Sequence, residues 1–149
     1  MDKIAPYFSF QNRANRQRYW LTSLAIYGLL LVALFVAITL PGIGWAIGGI
    51  GGVAWLWVAL ATAIRRLHDR GKSGWWLAPM YGPVILISGL AGLIGATGDS
   101  EDVANGLKAL SLPFSLWAFI ELGCLKGTVG DNRFGPDPLA PRSPAEVFA

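Results

Sequence analysis

The chain has 149 residues, 54% of them hydrophobic and only 14% charged, with a mean hydropathy of +0.49. Soluble domains carry about 25% charged residues, and a soluble protein this short has too little interior to hide so much apolar surface. Its net charge of +3 lies in segments between apolar runs, so it reads as membrane orientation and attraction to anionic lipid, and a nucleic-acid partner is not expected.

Residues 1–20 are polar and basic. Phe8 and Phe10 precede Arg13, Arg16 and Arg18, and Tyr19 and Trp20 follow. The i, i+3, i+7 spacing of Arg13, Arg16 and Trp20 predicts one helix face carrying all three. That makes an amphipathic lead-in at the headgroup level, with Tyr19 and Trp20 at the interface.

Residues 21–40 hold no charge. At about 1.5 Å per residue they cover roughly 30 Å, one hydrocarbon thickness. This run exceeds the roughly 7–15 residues of a signal-peptide core and reads as a retained anchor. Pro41-Gly42 makes a tight stop that turns the next helix back beside the first. The second span, 42–64, carries Gly44-x-x-x-Gly48-x-x-x-Gly52. Small residues four apart let another backbone come close, either inside one bundle or along a homo-oligomer seam.

A basic loop follows over 65–74. It holds Arg65, Arg66, His68, Asp69, Arg70 and Lys72 and leads into Trp75 and Trp76, which mark a membrane surface. Gly71 is placed to end the second helix and Ser73 to cap the third. The third span, 75–95, contains Pro79 and Pro83, which predict a bend near its start. Ser88, Gly92 and Ala96 give it a small-residue face. Asp99, Glu101 and Asp102 lie in the next connection. The fourth span, 107–125, holds Lys108, Pro113 and Glu121. Residues 126–149 form a Pro/Gly-rich tail whose end, 141–144, reads as extended.

Eleven of the twelve Lys and Arg residues fall in the N-terminal segment, the central loop and the tail, and Lys108 alone falls elsewhere. Four spans put these three segments on one face, so both termini are predicted to be cytoplasmic.

Three motifs carry a family resemblance. They are Phe10-x-x-Arg13-x-x-Arg16-x-x-Tyr19-Trp20, then Arg65-Arg66-Leu67-His68-Asp69-x-Gly71-x-Ser73-Gly74-Trp75-Trp76, then Gly130-Asp131-Asn132-Arg133-Phe134-Gly135-Pro136-Asp137-Pro138. Together they resemble the YhaH-like bacterial inner-membrane proteins, domain-of-unknown-function family 805. The resemblance spans nearly the whole chain and implies a small polytopic inner-membrane protein, with no reaction attached. One departure is Asn12, where that family usually has glycine. Asn tolerates a left-handed backbone better than most residues, so a turn there is retained.

Several residue groups bear on chemistry. Glu121 is a carboxylate inside a span and needs a partner; Arg65 or Arg66, ending the second span at the same level, is the expected one. His68-Asp69 pairs types used in acid–base work, but adjacent helical residues point about 100° apart, so both are expected to bind the tail or cap a helix end. Arg13, Arg16, Arg65, Arg66, Arg70 and Arg133 form an arginine collection suited to forked bonds with phosphate, such as a cardiolipin headgroup. In the tail, Asp131, Asn132 and Asp137 suit turns, while Arg133 and Phe134 supply an ion-pairing head and an apolar anchor. The tail is expected to fold against the 65–76 segment.

One histidine and the single cysteine, Cys124, leave too few ligands for a metal site in one copy. No cofactor and no catalytic residue is assigned. The sequence thus predicts an all-α, four-helix polytopic membrane protein with a basic cytoplasmic cap. Its expected role is a non-enzymatic accessory or scaffold subunit that binds partner membrane proteins and anionic lipid. A small transporter or lipid-handling protein using Glu121 and the arginines is the alternative, and an enzyme acting on lipid headgroups comes third.

Overall fold

The computed structural model describes residues 8–40, 42–96 and 101–140. The expectations for Lys3, Pro41, Asp99 and the 141–144 stretch lie outside them. The described residues form helices and turns, with one isolated bridge between Asn132 and Gly135. Four helices are long and apolar enough to cross a membrane: α1 (Arg16–Thr39), α2 (Ile43–Asp69), α3 (Leu77–Ala96, preceded by a 3-10 turn at Gly74–Trp76) and α4 (Glu101–Phe119, continued by a π turn at Ile120–Cys124). No more than 28% of the most apolar window of any of them is buried. Large apolar side chains instead face outward, Ile38 at 78% and Leu24 at 74% exposure. Only lipid makes that arrangement stable, because water would penalise each such side chain by about 1.5–3 kcal/mol.

The chain divides into two compact units, one of residues 8–72 with 126–140 and one of residues 73–125. In the first, α1 and α2 form an antiparallel hairpin. Asn15 caps α1, its side chain accepting from the Arg18 amide at 2.8 Å. Gly42 takes the turn with φ 84°, where a side chain would strain the backbone. A Cβ on Gly44 would fall 2.7 Å from the Val36 carbonyl oxygen, and one on Gly48 would fall 2.9 Å from Ala37 Cβ. Gly44 and Gly48 are therefore taken up inside the hairpin, whereas Gly52 has nothing near it. At the far end, Gly71 (φ 70°) closes α2 as expected. Its amide donates to the His68 carbonyl at 3.0 Å and the Lys72 amide to Leu67 at 2.9 Å, the paired bonds of a Schellman cap.

In the second unit, α3 and α4 pair antiparallel. Gly95 lies near Ala104 at one end, and Trp76 meets Trp117 edge-on at 6.2 Å at the other. Ser73 takes the N-cap position of the 3-10 turn without a side-chain cap bond. Pro79 lies in the first turn of α3, where its missing N–H costs nothing, and Pro83 lies inside the helix. Nothing packs within 4 Å of a Cβ built on Gly92.

Three boundaries differ from the sequence reading. α1 begins at Arg16, after its cap, so Arg13 does not share a helix face with Arg16 and Trp20. α2 runs to Asp69, so Arg65, Arg66 and His68 are helical and the loop shrinks to 70–73. α4 starts at Glu101, not 107, with Glu101 and Asp102 in its first turn, where carboxylates complement the helix dipole. Hydropathy locates the lipid-facing stretch of a helix; caps and ion pairs set where the helix stops.

Candidate functional site

The most polar buried region lies in the first unit, where α1 begins and α2 ends. It is built from the extension of α2. Arg66 and Asp69 are three residues apart on a helix, hence neighbours on one face, and Arg66 Nη1 lies 2.5 Å from Asp69 Oδ2. From the other side, Arg13 approaches Asp69 Oδ1, with Nε at 3.2 Å and Nη2 at 3.1 Å. Asn12 makes this approach possible. It stands at φ 69°, a left-handed turn that asparagine tolerates better than most residues, and it swings the lead-in onto α2. The Ala14 amide then bonds the Arg65 carbonyl at 3.1 Å. Phe10 packs edge-on against Trp57 at 5.0 Å, and Trp57 Nε1 donates to the Phe8 carbonyl at 3.1 Å.

Two guanidiniums share one carboxylate, and all three side chains are at most 3% exposed. An excess positive charge would be costly there unless other groups compensated it. The tail supplies them. Arg13 Nη2 donates to the Thr128 carbonyl at 2.5 Å, and Nη1 donates to the carbonyls of Gly130 at 2.6 Å and Gly135 at 3.4 Å. The tail is held in turn by the helix end. The Thr128 amide and hydroxyl both donate to the Asp69 carbonyl, at 2.7 and 3.0 Å. Asn132 Nδ2 reaches the His68 carbonyl and the Thr128 hydroxyl, both at 2.9 Å. Arg70 donates to Lys126 and Arg133 to Gly71, both to carbonyls, at 2.7 and 3.2 Å.

Aromatic packing closes the outer side. The His68 and Phe134 rings stack 3.9 Å apart at 4°, and the Arg133 guanidinium lies 4.6 Å from the Phe134 ring centre. His68 Nδ1 lies 3.3 Å from the Asn12 carbonyl. Turn bonds stiffen the loop itself: Asn132 Oδ1 accepts from Phe134, Asp131 Oδ1 from Asp137, and the Asp137 carboxylate from Leu139 and Gly130. The amides of Leu139 and Gly130, in that order, hold the Asp137 carboxyl below the usual carboxylate range.

The structure thus gathers Arg13, Arg65, Arg66, His68, Asp69, Arg70, Asp131, Asn132, Arg133 and Phe134 into one clasp. Arg13 and Arg66, expected among the anion-binding arginines, have their charge compensated inside the protein. Arg65 is also buried, its Nε donating to the Ala61 carbonyl at 3.3 Å. Arg16 and Arg133 are exposed. Trp75 and Trp76 belong to the second unit, where Trp75 is 84% exposed. Glu121 also belongs there, 5% exposed on the π turn that ends the fourth span.

Two participants carried almost no signal in the sequence. Thr128 looks like any tail residue. Gly127 is needed for space: a Cβ there would fall 2.6 Å from Asp69 Cγ and closer still to its Oδ2. A small residue just before Thr128 is the sole hint.

The clasp joins the three motifs that carried the family likeness. Residues 7–136 match the family described as protein of unknown function, DUF805. The chain belongs to this family. It is 30% identical over 133 residues to the Escherichia coli (strain K12) protein named "Uncharacterized protein YiiR", covering 87% of this chain and 86% of that one. It is 30% identical over 136 residues to "Inner membrane protein YhaI" of the same strain, covering 89% and 87%, and 29% identical over 140 residues to "Inner membrane protein YhaH", covering 89% and 88%. No solved structure matches. With four membrane-crossing helices and inner-membrane relatives, this DUF805 member is a multi-pass inner-membrane protein of unknown molecular function.

Proposed function

We propose that the protein is a non-catalytic accessory or scaffold component of the inner membrane, presenting a rigid basic cap to anionic lipid and to membrane-protein partners. One observation carries this reading: the buried charged residues of the family motifs are engaged in holding the three motifs together. Arg13, Asp69 and the tail carbonyls saturate one another, an arrangement suited to fixing a shape. A reacting site would instead aim such groups at an open cleft. The exposed Arg16 and Arg133 stay at the rim of that shape. In this reading the rim and both termini face the cytoplasm, as the positive-inside rule leads one to expect.

Native mass spectrometry of gently solubilised protein tests the reading. Partner subunits at fixed stoichiometry, or anionic lipid retained above its bulk fraction, are expected; a bare monomer free of both would refute it. Topology is checked by replacing Cys124 with Ser and introducing a thiol at Lys72. That thiol is expected to resist an impermeant reagent added to intact cells.

A second reading has its own observation. Glu121 is buried on a π turn, a helix irregularity that recurs at functional sites. In this alternative the protein is a small transporter or lipid handler using Glu121 and the arginines. Loss of a transport activity in Glu121→Gln, with the fold intact, would favour it.

A further inference from the structure

We infer that the groove between the lead-in and the start of α1 is a site for one anionic phospholipid, its headgroup at Arg18 and one acyl chain laid along Leu21 and Ala25. The inference rests on the anionic-lipid part of the proposed function and gives that lipid a place.

The groove has a volume of about 470 Å³ and is lined by Phe8, Gln17, Arg18, Leu21, Ala25 and Val58 among others. That volume lies within the range of about 300–1,000 Å³ typical of small-molecule sites. Its chemistry is ordered along the helix. Asn15, Gln17 and Arg18 stand at one end, at the cap and first turn of α1, and the lining beyond them is apolar apart from the Thr22 hydroxyl. Arg18 is its one charged lining residue, and no carboxylate lines it. From Arg18 to Ala25 is seven helical residues, roughly 10 Å. One leaflet of a bilayer with about 30 Å of hydrocarbon is roughly 15 Å deep. The groove therefore runs from headgroup level part-way down a single leaflet, as an acyl chain does. A free phosphate would use only the Arg18 end and leave the apolar length unfilled.

The walls are built, not accidental. Phe8 is held by the bond from Trp57 to its carbonyl, and the lead-in is pinned by Phe10 on Trp57 and by Ala14 on Arg65. Val58, adjacent to Trp57 on α2, forms the opposite side. Ala25 is the small residue that leaves the notch open. It is exposed, so enlarging it fills the groove without disturbing a packed interior.

The test is native mass spectrometry of protein released from nanodiscs of phosphatidylcholine containing a minority of phosphatidylglycerol. Wild type, Arg18→Gln, Ala25→Phe and a control that does not line the groove, Lys108→Gln, are compared. Wild type and Lys108→Gln are expected to retain one phosphatidylglycerol. Arg18→Gln is expected to retain about tenfold less, the scale of one lost charge-assisted hydrogen bond, and Ala25→Phe to lose it as the groove fills. Wild-type retention that neither variant changes would overturn the groove while leaving the lipid reading intact. Equal retention of phosphatidylcholine and phosphatidylglycerol by wild type would overturn both.

Discussion

Asp69→Asn is the sharpest perturbation the clasp offers. The substitution keeps the side chain's shape and removes one negative charge between two buried guanidiniums. In the native arrangement the carboxylate accepts Nε and Nη2 of Arg13 on one oxygen and Nη1 of Arg66 on the other. Each charge-assisted bond is worth about 1.5–3 kcal/mol, but the three are not additive because they share one carboxylate. The relevant scale is that of removing one partner from a buried ion pair, about 3–5 kcal/mol, because the remaining charges are left uncompensated. That is a large part of a typical stability of about 5–15 kcal/mol. The loss should concentrate in the clasp and in the end of α2 that it holds. Trypsin cleavage after Lys126 and Arg133, followed in mild detergent alongside thermal unfolding by tryptophan fluorescence, measures it. The variant is expected to be cleaved in the tail under conditions where wild type is resistant, and to unfold at lower temperature. Arg13→Lys should repeat much of the effect, because an ammonium cannot span Asp69 and three carbonyls with a planar fork. Wild-type protease resistance and thermal stability in Asp69→Asn would refute the claim that this carboxylate anchors the cap.

Gly127→Ala adds one methyl where Asp69, fixed by both arginines, cannot retreat; a loss of about 1–3 kcal/mol, the overpacking scale, should appear in the same protease assay. Asn12→Ala should cost about 1 kcal/mol at its positive φ, whereas Asn12→Gly should be tolerated, with thermal unfolding separating the two. Gly48→Val should push α1 from α2, since even its Cβ would fall 2.9 Å from Ala37 Cβ; fluorescence unfolding should show a drop that Gly52→Val, with open space, does not.

Much of the molecule was legible from residue order. Four apolar stretches of membrane length, three of them uncharged and the fourth holding Lys108 and Glu121, dictated four spanning helices, because a bilayer admits backbone only when its polar groups are satisfied within the helix. Gly71 declared the end of α2 because glycine takes a positive φ readily; the turn at Asn12 was implied by the family resemblance, asparagine tolerating the same backbone. The helix ends did not follow from hydropathy. Arg65, Arg66 and Asp69 look like loop residues by polarity alone, yet they continue α2 because Arg13, 56 residues from Asp69, and the tail carbonyls stabilise them there.

The sequence by itself determined that this is a membrane protein of four helices, and which segments carry its positive charge. Those properties come from local composition acting against one uniform solvent. Only the tertiary structure decided that Asp69 is the counter-charge for two arginines, that Gly127 must lack a side chain, and that three distant motifs form one clasp. Those facts depend on where separate parts of the chain meet, and the electrostatics of a buried charge are set by whichever groups arrive within a few ångströms of it.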